Sequence, residues 1–422
     1  MGGGLLQLVA YGAQDAYLSG NPQITFWKGL FKRHTNFAME PFRINLTGQA
    51  NWGVKHSAIL GRHADLLYST YLEVVMPPGG VFNADQGRLG YNLIKYVELD
   101  IGGQLIDRVY GEWLYLWDAL SSTADDRTKL IDMVGLGETS SYTVALPAAC
   151  INGRTANPTV VYIPLNFFYT KNPGAALPLI ALQYHEVKIN IEWNDAKLIA
   201  GNFQEAKTLP QPVQAAVYVD YIYLDTEERR RMAQNSHEYL IEQTQFNEDQ
   251  GITSAQNRID LTFNHPVKEL VWVVQPEYYT NCNLMTEKQQ GTRLFPFTYN
   301  VNAVYEQWIQ INGQDRMDRR YGDYFSKVQR FQHHTGVGYT TSYQAGLYSY
   351  SFALRPEEHQ PSGTCNFSRI DTATIVINFA GAQYEGTPID VSPENPWNVR
   401  VYAVNYNILR VMSGMGGLAY SN

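Results

Sequence analysis

The feature that most restricts how this chain can fold is an internal echo. Ile311-Asn312-Gly313-Gln314, followed by Asp318-Arg319-Arg320-Tyr321-Gly322-Asp323-Tyr324, repeats Ile101-Gly102-Gly103-Gln104 and Asp107-Arg108-Val109-Tyr110-Gly111-Glu112-Trp113. The offset is 210 residues for the first words and 211 for the second, half of the 422-residue length. Such a period argues for one module used twice. Leu72-Glu73-Val74-Val75-Met76-Pro77 answers to Val271-Trp272-Val273-Val274-Gln275-Pro276, and the alternating stretch 186–193 answers to 373–379, in the same order. Arg43-Ile44-Asn45-Leu46-Thr47 also resembles Arg258-Ile259-Asp260-Leu261-Thr262 but lies at the wrong distance from its next landmark, so we read that match as coincidence.

Within each copy the pattern is short strands punctuated by Gly, Pro and Asn. Residues 65–76 and 91–100 read as strands, and Gly102-Gly103 supplies the positive-φ residues of a tight hairpin, a role Asn312-Gly313 takes in the second copy. Trp113, Leu116, Trp117 and Leu120 then fall at i, i+3, i+4 and i+7, a helical stripe; Tyr324, Val328 and Phe331 repeat it. Val187, Ile189, Ile191 and Trp193 alternate with polar residues, as a half-buried antiparallel strand does. Residues 225–234 read as a connecting helix with Thr226 at its N-cap and Glu227-Glu228 in its first turn. In 399–411 the apolar phase switches between Ala403 and Val404, which predicts a bulge or bend.

Regularly spaced short strands argue an all-β fold, and two tandem eight-stranded jelly-roll β-sandwiches with short helices in the connections account for the duplication. The expected limits are an N-terminal arm 1–39, a first roll 40–225, a linker 226–237, a second roll 238–412 and a tail 413–422. The arm is rich in Gly and aromatics without a period, so Phe26, Trp27, Phe31 and Phe37 need a surface to cover them, in their own domain or in a neighbouring subunit. Long polar insertions at 121–159 and 277–300 read as surface decorations.

Composition excludes several roles. A net charge of −8 with pI near 5.6 does not suit direct nucleic-acid binding. The densest basic run, Arg229-Arg230-Arg231, follows two glutamates and reads as a solvated helix face. Three widely spaced cysteines, Cys150, Cys282 and Cys365, indicate neither a disulfide framework nor a zinc site. No apolar run is long enough to span a membrane, and Leu6 stands where an N-myristoylation motif wants Ser or Thr.

Catalytic constellations are missing. The sequence has no phosphate-binding glycine loop, no HExxH and no GxSxG elbow, and we expect no cofactor and no metal. His333-His334 and His359 read as polar loop residues, and Cys365 as a buried thiol rather than one of a Cys–His pair. Two N-x-[ST] sequons, at Asn45 and Asn366, are candidate glycan sites. Loop aromatics such as Tyr278-Tyr279 leave a second reading open, a lectin-like jelly roll that stacks on sugars.

Five stretches, taken in order, resemble the major capsid proteins of nucleocytoplasmic large DNA viruses, the group that includes chlorella viruses and iridoviruses. They are 8–15, beginning Leu8-Val9-Ala10-Tyr11-Gly12; 20–26, beginning Gly20-Asn21-Pro22; Thr35-Asn36-Phe37-Ala38; 177–187, beginning Leu177-Pro178-Leu179; and 361–371, beginning Pro361-Ser362-Gly363. The resemblance runs from the arm to Tyr402. It implies a double jelly roll that forms homotrimeric, pseudo-hexagonal capsomers tiling an icosahedral shell. The implied partners are neighbouring capsomers and minor capsid and penton proteins, with the arm facing inward toward an internal membrane. It places the chain in the virion, assembled inside the host cell, in its cytoplasm. Residues 121–159 and 277–300 would then face outward or toward adjacent subunits.

Overall fold

The computed structural model describes residues 2–27, 29, 31–76, 81–83, 89–135, 141–143, 160–199, 210–212, 214–277, 303–336, 346–381, 383–384 and 387–421. Two bodies are distinguished, Met1–Phe37 and Ala38–Asn422. The first holds two short helices, α1 (Gly3–Val9) and α2 (Ala16–Ser19), and neither buries a residue.

The second body contains both copies of the repeat. The first copy runs β1 (Phe37–Asn45), β2 (Lys55–Leu60), β3 (Leu66–Val75), α3 (Leu89–Leu93), β4 (Ile94–Ile101), β5 (Gln104–Tyr110), α4 (Gly111–Ser121), α5 (Ala124–Leu130), β6 (Val160–Pro164), β7 (Val187–Trp193) and β8 (Gln214–Leu224). Helix α6 (Thr226–Gln234) leads to β9 (His237–Ile252), β10 (Gln256–Asp260), β11 (Pro266–Pro276), β12 (Glu306–Ile311) and β13 (Gln314–Asp315). A π turn (Tyr324–Val328), α7 (Gln329–His333), β14 (Leu347–Ser351), β15 (Ala373–Asn378), β16 (Trp397–Met412) and β17 (Met415–Leu418) complete the chain.

Strand order shows the duplication without reference to sequence. The first copy pairs β1-β8-β3-β6 in one sheet and β2-β7-β4-β5 in the other. The second pairs β9-β16-β11-β14 and β10-β15-β12-β13, the same orders with eight added to each number. Each pair of sheets is a jelly-roll sandwich. Arg43 lies on β1 whereas Arg258 lies on β10, the counterpart of β2, so their likeness joins unequal strands.

Local residues explain the turns. Asn312 and Gly313 sit at φ 50° and 76°, and Gly102 and Gly103 at 61° and 85°. Both hairpins thus have two left-handed central residues, the geometry that matches strand twist. Asn312 also accepts from the amides of Asp371 and Thr372 through its side-chain oxygen, at 3.0 and 3.1 Å.

Several expectations need correction. Residues 89–93 are helical, not strand, because Asn194 satisfies the carbonyls there: its side chain donates to Asn92 at 2.9 Å and Ile94 at 3.2 Å, its amide to Leu93 at 2.9 Å. The N-cap of α6 is Asp225, with Thr226 the first helical residue. The pairing of Leu72 with Val271 is out of phase, since Leu72 faces the core of its own roll and Val271 faces the other roll. A one-residue slip on a strand reverses every face. The stripe Tyr324, Val328, Phe331 is not buried: the π turn rotates the helix, so Phe325 and Gln329 face inward while Phe331 is 89% exposed.

Candidate functional site

In the β9-β16-β11-β14 sheet the central strands β11 and β16 are buried on both faces over most of their length. Leu270, Trp272 and Val274 on β11, with Val399, Val401 and Ala403 on β16, point into the second roll's core. From the opposite face Val271, Val273, Leu347, Tyr402 and Val404 join the apolar cluster of the first roll. Such side chains contribute about 1.5–3 kcal/mol each when fully buried. The surface they build is a continuous seam between the rolls.

The first roll meets this sheet with β5 and α4. Tyr110 packs its ring 4.6 Å from Phe246, and Trp113 lies 5.3 Å from Tyr402. Gln243 donates to the Ile106 carbonyl, and the Thr244 amide to Asp107 Oδ1 at 3.1 Å. The last carbonyls of α4, which no helix can satisfy internally, take donors from the second roll. Gly336 N reaches Leu120 O at 2.7 Å, and Thr335 Oγ1 reaches Ser121 O at 3.3 Å. Only glycine fits there, because a Cβ at Gly336 would stand 2.3 Å from the Leu120 oxygen.

Buried charges are paired across or beside the seam. Arg400 donates twice to Glu112, at 2.7 and 2.5 Å, and the Tyr402 hydroxyl adds a third bond to the same carboxylate at 2.6 Å. Glu242 accepts from Lys171 of the first roll at 3.0 Å and from Lys268 at 2.6 Å. Burial pushes the Glu242 carboxyl up, but the two lysines overcome it and hold it down at about 2. Burial pushes Asp107 up to about 7, only partly offset by the Thr244 amide and Lys171. Lys268 occupies a bulge, where β11 slips one residue against Asn405 and Val404 of β16. The sequence located this irregularity between Ala403 and Val404; the extra residue stands on the facing strand, which aims the lysine at Glu242.

His334 is also a correction. Far from an open loop, its side chain is 1% exposed, with Nε2 3.5 Å from Glu269 and Nδ1 3.2 Å from Glu357. A cleft of about 400 Å³ opens at the seam beside Tyr110, Phe246 and Glu248, but the Glu112 carboxylate that lines it is already held by Arg400. Among the described residues no group of three or more His, Cys, Asp or Glu is placed to hold a metal, and no helix is long and apolar enough to cross a membrane. Cys365 is half-buried, and burial raises its thiol, with Arg316 opposing. The chemistry of this seam is recognition of one roll by another.

The comparisons with known proteins fall on both rolls. The family model for the major capsid protein N-terminus matches residues 25–225, and the model for the large eukaryotic DNA virus major capsid protein matches 228–417. The major capsid protein of Pyramimonas orientalis virus is 47% identical, with both chains covered in full. The chain belongs to the major capsid protein family of large eukaryotic DNA viruses. The family member from Paramecium bursaria Chlorella virus 1 is 40% identical, again over both full lengths. A chain of the PBCV-1 virus capsid quasi-atomic model superposes with a TM-score of 0.77 at 36% identity, covering 94% of this chain and all of that one. As a major capsid protein the chain is a structural component of the virion shell, and its double jelly roll is the fold of that neighbour.

Phe26, Trp27 and Phe31 are exposed, and Phe37 opens β1. Asn45 is exposed at the end of β1. Asn366 is exposed too, its side-chain oxygen accepting from the Ser368 amide at 3.1 Å. Tyr278-Tyr279, Cys150 and Cys282, and nearly all of 277–300, fall outside the described residues. Sequence reading missed Glu112, Glu242, Lys268 and Arg400. Their signal was a charge inside an apolar run, plainest in Val399-Arg400-Val401.

Proposed function

We propose that this capsid protein closes with two further copies into a homotrimeric, pseudo-hexagonal capsomer, and that such capsomers tile an icosahedral shell. The observation that carries this reading is the identical strand order of two rolls joined by an unlike-face seam. One side of roll one meets a different side of roll two, and such head-to-tail contacts form rings when the rotation closes. Three chains then present six similar units at a lattice position with six neighbours. Neighbouring capsomers, minor capsid proteins and penton proteins are the partners that reading needs. The arm 1–39 is assigned to the inner side near a membrane, and the insertions at 121–159 and 277–300 to the outside. The domain limits 40–225 and 238–412, assembly in the host cytoplasm, absence of catalysis and absence of direct genome contact complete the proposal.

Sedimentation velocity and negative-stain imaging of the purified chain test it. A particle of three times the 47.9 kDa chain mass with a six-lobed outline is expected. A species that stays monomeric across micromolar concentrations contradicts the reading. Intact-mass measurement on protein from infected cells tests whether Asn45 or Asn366 carries glycan.

A further inference from the structure

Beside the seam a histidine is held between two carboxyl groups. Glu269 on β11 and His334, which follows α7, are both buried at the side chain. His334 Nε2 lies 3.5 Å from Glu269 Oε2, and Nδ1 lies 3.2 Å from Glu357 Oε1, so both ring nitrogens face carboxyl oxygens. A neutral imidazole carries one N–H and can donate to only one of them. Among the described residues neither Glu269 oxygen has a hydrogen-bond partner of normal geometry. A bare carboxylate there, set against a neutral ring, would be a buried and unpaired charge, which costs a fold heavily. The pair therefore keeps one proton, shared between imidazole and carboxyl as coupled groups do. Burial raises Glu269 in that sense, with His334 and Lys268 opposing.

The charged groups around the pair are engaged elsewhere. On β11 Lys268 donates to Glu242 of β9 at 2.6 Å, and Glu242 also takes Lys171 of the first roll at 3.0 Å. Tyr406 on β16 is pushed up to about 12 by burial, with Glu242 and Glu269 adding to it, and stays a neutral phenol. On α7 Arg330 donates to the Ala119 carbonyl at 3.5 Å, and His333 Nδ1 lies 3.1 Å from the Leu354 carbonyl. Arg355 and Glu358, beyond β14, pair with each other at 2.9 Å. Asp118 on α4 accepts from the Ser122 hydroxyl.

Position gives this proton a consequence. Thr335, next to the histidine, donates to Glu357 from its amide at 3.1 Å and from its hydroxyl at 2.6 Å. The same Thr335 and Gly336 hold the last carbonyls of α4 in the first roll. We propose that the Glu269–His334 pair is a proton-operated clasp on the seam: while it keeps its proton, residues 334–336 stay on the end of α4, and proton loss at rising pH releases them. The sign follows from burial. The protonated pair is the form the fold accommodates, so the contact is strongest in mild acid and weakens toward alkali. Both halves of the clasp belong to one chain, so it operates with or without the trimeric assembly.

Hydrogen exchange of the full-length chain tests it, followed at the Gly336 amide from about pH 6 to about pH 9 and corrected for the intrinsic rise in exchange rate. Protection in the wild type is expected to fall by about tenfold or more across that range. In Glu269→Gln, which keeps the shape of the side chain and has no proton to lose, protection is expected to stay level. Wild-type protection that does not fall overturns the clasp, and so does a fall that Glu269→Gln retains in full. Glu357→Gln covers the case in which Glu269→Gln does not fold. It removes a carboxylate that favours the protonated ring, so the midpoint of the fall is expected to move to lower pH. An unchanged midpoint in that variant overturns the proposal.

Discussion

At the residue scale the seam is a set of buried charges whose partners stand on different rolls. Breaking such a pair leaves a desolvated charge behind, which costs roughly 3–5 kcal/mol, whereas replacing both members by apolar groups is often neutral. Glu112→Gln or Arg400→Met alone should therefore lower thermal stability sharply. The double variant Glu112→Leu with Arg400→Met should recover most of the loss; an additive double variant in calorimetry would show that the pair is not coupled. Asp107 behaves oppositely to an ordinary paired carboxylate. Its folded value of about 7 lies above the usual 3.8, so between those limits the folded chain binds the extra proton. Stability from this group is present in acid and lost as pH climbs to about 7. Asp107→Asn, which keeps an acceptor for the Thr244 amide, should raise the melting temperature at pH 8, with the gain shrinking toward pH 4. Glu242 runs the other way: its contribution is held above pH 4.5 and lost as pH falls toward 2. None of these four residues was legible as a site, because a charge in an apolar run reveals a buried partner without saying which one.

At the element scale the legible parts were those set by neighbours in sequence. Val187, Ile189, Ile191 and Trp193 alternate and are all buried, and the Asn312-Gly313 turn has the φ values its residues demand. What could not be read depended on distant strands. The apolar run in β16 has no clean period because alternate residues enter different rolls, and the bulge it hinted at lies across the ladder at Lys268. Helix α3 escaped notice because its terminal carbonyls are satisfied by Asn194, a hundred residues away. The connection between α4 and the 334–336 segment gives an element-level test. Gly336→Ala should cost more than about 1 kcal/mol, since a Cβ there meets the Leu120 carbonyl, and hydrogen exchange should quicken at Ser121 and its neighbours. Unchanged exchange at the end of α4 would count against that segment as its cap.

At the scale of the whole chain, the two rolls should behave as one cooperative unit. A sheet that walls both cores cannot be lost from one without exposing the other. Calorimetry of the dilute chain should show a single transition, and two resolved ones would mean the seam opens before either sandwich melts. The duplication was the part of the whole legible from the start, since Gly102-Gly103 and Asn312-Gly313 announced it across half the chain. The seam was not, because only the spatial order of strands shows which face of one copy lies on the other.

The position of β16 has a consequence for biosynthesis. This strand sits between β9 and β11, yet among the described strands only β17, which pairs with it, leaves the ribosome after residues 397–412. A nascent chain can close its first roll early but must wait, with Tyr110, Trp113 and Trp117 wet, for its final wall. Premature association of half-made chains is thereby discouraged, since the surface that receives those rings does not yet exist.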